Sequence, residues 1–406
     1  MEKPIIRQVA VLGAGVMGAQ IAAHLVNARI GAVLFDLPAS GGPKSAIAAK
    51  AIAGLRKLNP APLGHPDLAD AIEPANYDDD LERLRDCELV IEAIAERMDW
   101  KHDLYRRIAP YLREDAIVAT NTSGLSIERL AEGLDAALKP RFCGVHFFNP
   151  PRYMHLAELI PTAATAPGVL DRLETFLTTE LGKGVVRAKD TPNFIANRVG
   201  IFGMLATMAE AEKYGLSYDL VDDLTGSKLG RAKSGTFRTA DVVGLDTLGH
   251  VITTMQDNLA DDPFATLYRR PAVLEALIDQ GALGQKSGAG FYRKDGKAIL
   301  RLDPASRQYV PAGARADETV ARILKKRDPV ERLKLLRESS SPQARFVWSL
   351  LRDTFQYCAV HLASIADNAR DLDLAMRWGF GQNEGPFELW QAAGWAQVAE
   401  WVQADI

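Results

Sequence analysis

Two ionisable residues stand out in this chain because each interrupts a short apolar strand pattern. His146 falls within Phe142–Phe148, and Glu158 follows it by twelve residues on a second such strand. Period-two alternation places Glu158 on the same face as Leu156 and Ile160, so its carboxylate is predicted to point inward. A buried carboxylate needs a partner or becomes protonated. A carboxylate that orients a histidine is an arrangement suited to general-base chemistry.

The same pattern also fits a purely structural interpretation. Buried histidines are commonly hydrogen-bonded core residues, and Glu158 could equally pair with an arginine elsewhere in the chain. The two strands are joined by an Asn149-Pro150-Pro151 turn. Whether the imidazole and the carboxylate meet therefore depends on the geometry of that turn.

A dinucleotide-binding motif lies upstream of this pair. A strand, Gln8–Leu12, runs into Gly13-Ala14-Gly15-Val16-Met17-Gly18, a GxGxxG, which opens a helix over Ala19–Ala28. Gly13 permits the tight turn, Gly15 lets the backbone approach a pyrophosphate, and Gly18 lets helix pack on strand. The pyrophosphate would then lie at the helix N-terminus, where free N–H groups and the helix dipole favour anions.

An acidic residue completes the motif. The next strand, Ala32–Phe35, ends at Asp36, where a carboxylate accepts a hydrogen bond from the ribose 2′-hydroxyl. A 2′-phosphate would be repelled there, so the sequence predicts NAD rather than NADP as the cofactor.

The alternation of strands and helices continues and predicts a doubly wound α/β sheet of the Rossmann type. Further strands are predicted at Leu89–Ala93, Ala116–Thr120 and Val185–Ala188, and helices at Lys44–Leu58 and Trp100–Tyr111. Glu96 and Lys101 follow the carboxyl end of a strand, which is the edge where such sheets bind ligands. A solvated ion pair at a helix start is an equally good interpretation of these two residues.

After residue 189 the pattern becomes helical. Thr191-Pro192 has the form of an N-cap followed by Pro at the first helical position, and the predicted helix Asn193–Tyr214 is apolar nearly all round. Asn197 near its start is either a satisfied core amide or a ligand contact. A second long apolar helix is predicted over Arg345–Asn368.

An internal repeat predicts that this helical half is duplicated. Five residues recur at an offset of 150 positions, with Asp223, Leu224, Gly235, Phe237 and Gly244 matching Asp373, Leu374, Gly385, Phe387 and Gly394. Between the copies, the glycine-rich Gly284–Tyr292 is interpreted as a turn. The charged segment Leu302–Ser341 is interpreted as a surface connector with two short helices. The predicted domains are 1–189 (NAD-binding), 190–301 (first helical domain), 302–341 (connector) and 342–406 (second, duplicated all-α domain).

Composition narrows the class of protein. The 406 residues carry a net charge of −4 without a basic block, which gives no electrostatic support for nucleic-acid binding. No apolar run is long enough for a membrane span, Met1–Arg7 is too short and polar for a leader, and no metal-ligand cluster is visible. Cys87, Cys143 and Cys358 are odd in number and widely spaced, which predicts a reducing cytoplasm.

Four motifs together resemble a known family. They are GAGVMG at Gly13–Gly18, NTSGLSI at Asn121–Ile127, HFFNP at His146–Pro150 and DTPNFIANR at Asp190–Arg198. In this order they resemble the NAD-dependent L-3-hydroxyacyl-CoA dehydrogenases of fatty-acid β-oxidation, over nearly the whole chain. The phrase NPPRYMHLAELIPT is most similar to the dehydrogenase portion of multifunctional β-oxidation proteins that carry a C-terminal enoyl-CoA hydratase domain.

The resemblance implies a role for each matching position. His146 falls on the catalytic base, Glu158 on the acid that orients it, and Ser123 on the residue that bonds the substrate 3-oxygen. Asn197 falls on a substrate-binding asparagine of FIxNR, and Asn149 on a structural or substrate-side asparagine. Cofactor contacts are implied for Gly13, Gly15, Val16, Met17, Gly18, Asp36, Glu96, Lys101 and Asn121.

The resemblance also implies a substrate and partners. They are an acyl-CoA thioester and a fused or associated hydratase, of which this chain would be the excised dehydrogenase portion. The duplicated helical half implies a monomer with internal pseudo-two-fold symmetry. Gly124 replaces a second serine common in the family, and GRAKSGTF replaces the common GPFEL-like end of the first repeat.

Two other hypotheses remain. One is a different β-hydroxyacid dehydrogenase, but no lysine-base motif is present and HFFNP would be unexplained. The other is a non-catalytic NAD-binding or structural relative, which would have lost His146, Glu158 or Ser123, and all three are retained.

Overall fold

A computed structural model of the protein describes residues 6–406. The chain divides into two compact units, Met1–Phe194 and Ile195–Ile406. The prediction that Met1–Arg7 is too short and polar for a leader falls mostly on residues 1–5, which lie outside the described residues. No helix among the described residues is long and apolar enough to cross a bilayer.

The first unit is built on an eight-stranded sheet with the order β3-β2-β1-β4-β5-β6-β7-β8. All neighbouring pairs are parallel except β6 and β7, which run antiparallel. This confirms the Rossmann-type prediction. The strands are β1 Gln8–Leu12, β2 Gly31–Asp36, β3 Ile72–Asn76, β4 Leu89–Glu92, β5 Ile117–Thr120, β6 Phe142–Phe147, β7 Leu156–Pro161 and β8 Gly184–Arg187.

Helices cover the sheet of this unit on both faces. Every residue of β4, β5 and β6 is buried, which requires cover above and below because successive side chains point to opposite faces. The core joins apolar side chains of the strands to those of α1, such as Ile21 and Leu25. The helices are α1 Val16–Asn27, α2 Ala46–Leu55, α3 Met98–Ile108, α4 Ile127–Glu132 and α5 Pro167–Thr179.

The second unit is mainly helical, as predicted. Its long helices α6 and α13 pack together, and the rings of Phe202 and Tyr357 stack with centroids 3.8 Å apart. The helices are α6 Ala196–Lys213, α7 Tyr218–Thr225, α8 Phe237–Val243, α9 Leu245–Asn258, α10 Ala272–Asp279, α11 Glu318–Leu324, α12 Pro329–Glu338, α13 Pro342–Ile365, α14 Ala369–Phe380, α15 Pro386–Ala392 and α16 Trp395–Asp405.

A small antiparallel sheet adds β structure that the sequence analysis did not include in this half. Its order is β11-β10-β9, formed by β9 Tyr292–Asp295, β10 Ala298–Leu302 and β11 Tyr309–Pro311. The strands are short and largely exposed, so they lack the apolar alternation by which a half-buried strand is recognised. The predicted connector, 302–341, contains the unexpected strand β11 as well as the two expected short helices, α11 and α12.

The predicted cap of the long helix at Thr191-Pro192 is wrong, because α6 begins only at Ala196. Asn193 and Phe194 have φ values of 64° and 54°, and left-handed backbone at two successive residues cannot continue a right-handed helix. The Phe194 N–H bonds to the Thr191 carbonyl at 2.9 Å and closes a turn. The Thr-Pro pair therefore starts a turn that buries Phe194, and the helix follows it.

The two copies of the helical motif share a buried aspartate that fixes the next helix. Asp222 on α7 accepts hydrogen bonds from the backbone N–H groups of Thr236, Phe237 and Arg238 at 2.7–3.1 Å. Asp373 on α14 accepts from the N–H groups of Phe387 and Glu388 in the first turn of α15 at 2.8 and 3.0 Å. Each carboxylate thus satisfies N–H groups that a helix start leaves without an intrahelical partner.

This geometry corrects the predicted match of Asp223 with Asp373, because the counterpart of Asp373 is Asp222. Asp223 instead forms an ion pair with Lys228 at 2.6 Å. The loop from Gly230 to Gly235 is one residue longer than the loop from Gly381 to Gly385. The offset between the copies is therefore 151 before the loop and 150 after it.

Replacing Asp222 by alanine should destabilise the second unit by about 3 kcal/mol, because at least three buried N–H groups would lose a charged acceptor. Urea denaturation followed by circular dichroism measures this. Asp246→Ala is the matched control: its carboxylate pairs with Lys286 on the surface, where an ion pair contributes about 0–1 kcal/mol. Equal losses in both variants would contradict the capping role.

Candidate active site

The imidazole of His146 and the carboxylate of Glu158 form a buried hydrogen-bonded pair in the first unit. The two residues lie directly opposite each other on the antiparallel strands β6 and β7, which places both side chains on the same face. His146 Nδ1 lies 2.8 Å from Glu158 Oε2. Exposure is only 3% for His146 and 0% for Glu158. The Asn-Pro-Pro turn therefore brings the two groups together.

This contact determines which imidazole nitrogen is available for proton transfer. An ionised carboxylate only accepts hydrogen bonds, so Nδ1 carries the hydrogen and Nε2 presents its lone pair. The rings of Phe148 and Phe194 pack on the imidazole, with centroids 4.5 and 5.5 Å away. These contacts limit rotation of the ring and keep water from it. The arrangement can act as a general base whose protonated form is stabilised by a neighbouring charge.

A buried lysine that sequence reasoning missed holds the turn between these strands. Lys183, just before β8, is 4% exposed, and its ammonium donates to the carbonyls of Pro151 and, at 2.8 Å, Met154. Burial lowers the pKa of Lys183 to about 8. The only sequence signal was a lysine between two glycines, Gly182 and Gly184. Lys183 therefore fixes the loop that sets the register of the histidine–glutamate pair.

The glycine-rich turn leaves open space where a ligand phosphate would approach. A Cβ on Gly13 would lie 2.8 Å from the Ala93 carbonyl oxygen, and one on Gly18 would lie 1.8 Å from the Gly13 oxygen. A Cβ on Gly15 would meet no protein atom within 4 Å. Helix α1 starts there without a side-chain cap, so its first N–H groups suit an anion.

Asp36 connects the second strand to this turn. Its Oδ2 accepts a hydrogen bond from Ala14 N at 2.6 Å, and its Oδ1 accepts from Leu37 N at 2.7 Å. The carboxylate is half-buried beside the turn. Of the two remaining motif residues, Val16 is 68% exposed and Met17 is half-buried. The residues predicted to contact a dinucleotide at this end of the sheet are thus brought together.

Glu96 joins two of the other predicted segments. Its carboxylate accepts hydrogen bonds from Thr122 Oγ1 at 2.6 Å and from the backbone N–H of Ser123 at 2.7 Å. Ser123 itself is half-buried, and its hydroxyl has no hydrogen-bond partner among residues 6–406. Glu96 therefore holds the main chain that presents the Ser123 hydroxyl.

Lys101 lies inside a buried cluster whose centre, Glu92, sequence reasoning also missed. Lys101 Nζ is 2.6 Å from Glu92 Oε1 and 3.9 Å from Glu96 Oε2. Glu92 Oε2 accepts further hydrogen bonds from Tyr105 at 2.9 Å and Thr120 at 2.7 Å. The signal was present, since Glu92 ends an apolar strand as Asp36 does. The structure thus excludes the solvated-pair interpretation for Lys101, which is 1% exposed.

Two asparagines link this region to the histidine strand. Asn121 Oδ1 accepts from Phe147 N at 2.9 Å, next to the catalytic candidate His146. Asn149 Oδ1 accepts from Gln20 Nε2 on α1 at 3.3 Å. The remaining predicted residue, Asn197, belongs to the second unit, where it lies half-buried near the start of α6.

Comparison with known proteins identifies family models along most of the chain. Residues 8–191 match the model for the 3-hydroxyacyl-CoA dehydrogenase NAD binding domain, and residues 194–294 match the model for the C-terminal domain of the same family. The glycine turn, the uncapped helix start and Asp36 all lie in the first of these segments, so the residues present fit this cofactor.

Similar proteins extend the likeness to nearly the whole chain. A "Probable 3-hydroxyacyl-CoA dehydrogenase" of Bacillus subtilis is 39% identical over 97% of this chain and 52% of its own length. A "Putative fatty acid oxidation complex trifunctional enzyme" of Rickettsia felis is 37% identical over 97% of this chain and 54% of its own length. The chain thus spans about half the length of these relatives. The solved structure of Escherichia coli 3-hydroxybutyryl-CoA dehydrogenase has a similar fold, with a TM-score of 0.72 and 21% sequence identity. The match covers 97% of this chain and 93% of that chain.

The glycine geometry predicts different effects for two alanine substitutions. Gly15→Ala should leave stability unchanged but weaken NADH binding by about tenfold, because the new methyl enters ligand space. Gly18→Ala should destabilise the first unit by about 1–3 kcal/mol, because the new methyl would overlap the Gly13 carbonyl. Fluorescence titration with NADH and thermal unfolding measure the two effects.

Gly54→Ala on α2, where a Cβ meets nothing within 4 Å, is the control and should bind NADH normally. Unchanged NADH affinity in Gly15→Ala would count against this turn as the pyrophosphate site.

Proposed function

The chain belongs to the 3-hydroxyacyl-CoA dehydrogenase family, and we propose that it catalyses the reversible NAD-dependent oxidation of L-3-hydroxyacyl-CoA to 3-ketoacyl-CoA. The observation that carries this proposal is the 2.8 Å contact between His146 Nδ1 and Glu158. It supplies an oriented base in the same unit that matches the NAD binding domain. Oxidation of a secondary alcohol requires such a base.

In the proposed mechanism, Nε2 of His146 accepts the proton of the 3-hydroxyl as the C3–O bond becomes a carbonyl. When bound, NAD would supply the acceptor for the hydride that leaves C3. Glu158 stabilises the imidazolium that forms and holds the ring in one tautomer. In the reductive direction, His146 returns the proton to the nascent alkoxide. Lys183 and the packed phenyl rings keep the base in place throughout.

Other residues would position the two ligands. Gly13, Gly15, Val16, Met17 and Gly18 would hold the pyrophosphate through backbone N–H groups, and Asp36 would accept from the adenosine ribose. Glu96, Lys101 and Asn121 complete the cofactor side. The free hydroxyl of Ser123 would donate to the substrate 3-oxygen, and Asn149 and Asn197 would contact the thioester. The clustering of the first-unit residues supports these assignments.

The alternative is a non-catalytic NAD-binding relative. A relative without catalysis would have no need for a desolvated carboxylate on the histidine, since burying an ionised group is costly. The retained pair therefore favours an enzyme.

The reaction class identifies a partner activity. Adding water to a 2-enoyl-CoA produces the proposed substrate, so we propose that an enoyl-CoA hydratase is fused to or associated with this chain. The trifunctional relative from Rickettsia felis supports this.

We also propose a cytoplasmic location, since Cys87, Cys143 and Cys358 are buried and unpaired, as is usual in reducing compartments. Immunoblotting of cell fractions checks the location, and a secreted pool would contradict it.

Replacing the pair should abolish turnover without loss of the cofactor. With acetoacetyl-CoA and NADH, His146→Gln and Glu158→Gln should lower kcat by about 10²–10⁴-fold, because proton transfer loses its base or its orientation. Ser123→Ala should lower kcat less. NADH affinity should stay within about twofold of wild type, because these side chains do not belong to the glycine turn that would hold the cofactor.

The control is His155→Gln, an exposed histidine after the same turn, which should keep wild-type kcat. Near-normal kcat in either His146→Gln or Glu158→Gln would refute the assignment.

The helical duplication supports two further proposals, on domains and on oligomeric state. We propose that the chain divides into 1–189, 190–301, 302–341 and 342–406, and that the second helical copy packs on the first through α6 and α13. The chain should therefore be a monomer, because the apolar face of α6 is already covered within the chain. Sedimentation velocity at micromolar concentration should give the mass of one chain. A dimer that is broken by a charged substitution on the exposed face of α13, such as Val360→Glu, would refute this.

A further inference from the structure

A cavity of about 370 Å³ lies in the second unit, away from the residues assigned above. It forms where the corresponding loops of the two helical copies meet, and Asn383 N donates to the Gly230 carbonyl at 2.7 Å across that junction. Its size is that of a small-molecule site, for which about 300–1,000 Å³ is usual.

The charges that line this cavity are mostly positive. Lys228, Arg231 and Arg332 contribute cations, against a single carboxylate from Glu384. Arg332 lies only at the limit of an ion pair with Glu384, at 3.9 Å. Lys228 is paired with Asp223, which is not part of the lining. An anion in the cavity would therefore meet an excess of positive charge.

Arg231 is the decisive residue. Among residues 6–406 its guanidinium has no ion pair or hydrogen bond, and the residue is half-buried in the cavity wall. Burial lowers the pKa of Arg231 to about 10, so the group remains a cation at neutral pH. A half-buried cation without a counter-charge has only water as a partner and has lost part of its hydration. An anionic ligand would supply the counter-charge.

We propose that this cavity binds a phosphate-bearing small molecule, with Arg231 as its main ligand and with Lys228 and Arg332 as the other cations of the lining. A phosphate suits this set because its dianion matches more than one cation and a guanidinium can bond it through two parallel N–H groups. The neutral donors Gln382 and Asn383 line the same space. The site is independent of the proposed dehydrogenase chemistry and lies entirely within the second unit.

The phosphate could be free or belong to a nucleotide, and the test separates the two sources. The full chain, saturated with NADH to fill the dinucleotide site, is titrated with inorganic phosphate and with adenosine 3′,5′-bisphosphate at constant ionic strength. Calorimetry gives Kd, and thermal unfolding gives the shift in Tm. Arg231→Met should raise Kd by about tenfold or more for whichever probe binds, since a charge-assisted contact is lost.

Lys233→Met is the matched control, because it removes one positive charge from the same loop. Lys233 is exposed and lies outside the cavity lining. It should bind as wild type. Tighter binding of the bisphosphate supports a nucleotide source, and equal binding of both probes supports free phosphate. Binding by neither probe, or an equal loss in both variants, overturns the proposal. If Arg231→Met does not fold, Arg231→Lys and Arg332→Met replace it, and the first should bind more tightly than the second.

Discussion

The hydrogen bond between His146 and Glu158 is the constraint on which the first unit depends. A carboxylate with no exposure is tolerated only with a charged or polar partner, and here that partner is an imidazole on the neighbouring strand. The antiparallel pairing of β6 with β7 is the one reversal in an otherwise parallel set of neighbours. It places the two side chains directly opposite each other, where a parallel strand would have required a long crossover.

Much of the surrounding structure maintains this contact. Lys183 bonds the carbonyls of the turn that joins the two strands. Asn121 holds the strand that bears His146, while Asn149 connects the turn to α1. Phe148 and Phe194 pack on the imidazole. The left-handed backbone at Asn193 and Phe194, just before α6, accompanies the packing of the Phe194 ring on the histidine.

Buried or half-buried carboxylates that accept backbone N–H groups recur in both units. Asp36 fixes the glycine turn, Asp190 bonds the first N–H groups of α4, and Asp222 and Asp373 fix the starts of α8 and α15. Each is an acceptor placed where loop or helix-start N–H groups would otherwise lack one. The repeated aspartate is also the strongest structural sign that the helical copies are related. The junction between those copies differs, since Arg231 there forms no ion pair with any acid among residues 6–406.

The sequence by itself determined the features that depend on local pattern. The order of strand, GxGxxG, helix and acid specified a dinucleotide fold, and alternation along β7 predicted that Glu158 points inward. It also predicted that Asn197 lies on a helix, although that helix starts later than expected. Only the tertiary structure decided which distant groups meet. Examples are the contacts of Lys183 with the Pro151 carbonyl, of Glu92 with Lys101, and of Asp222 with Phe237. Hydrophobic periodicity does not predict the paths of the loops that bring these groups together. The physical reason is that periodicity reports which face of an element is buried, whereas the partner of a buried charge depends on how whole elements pack.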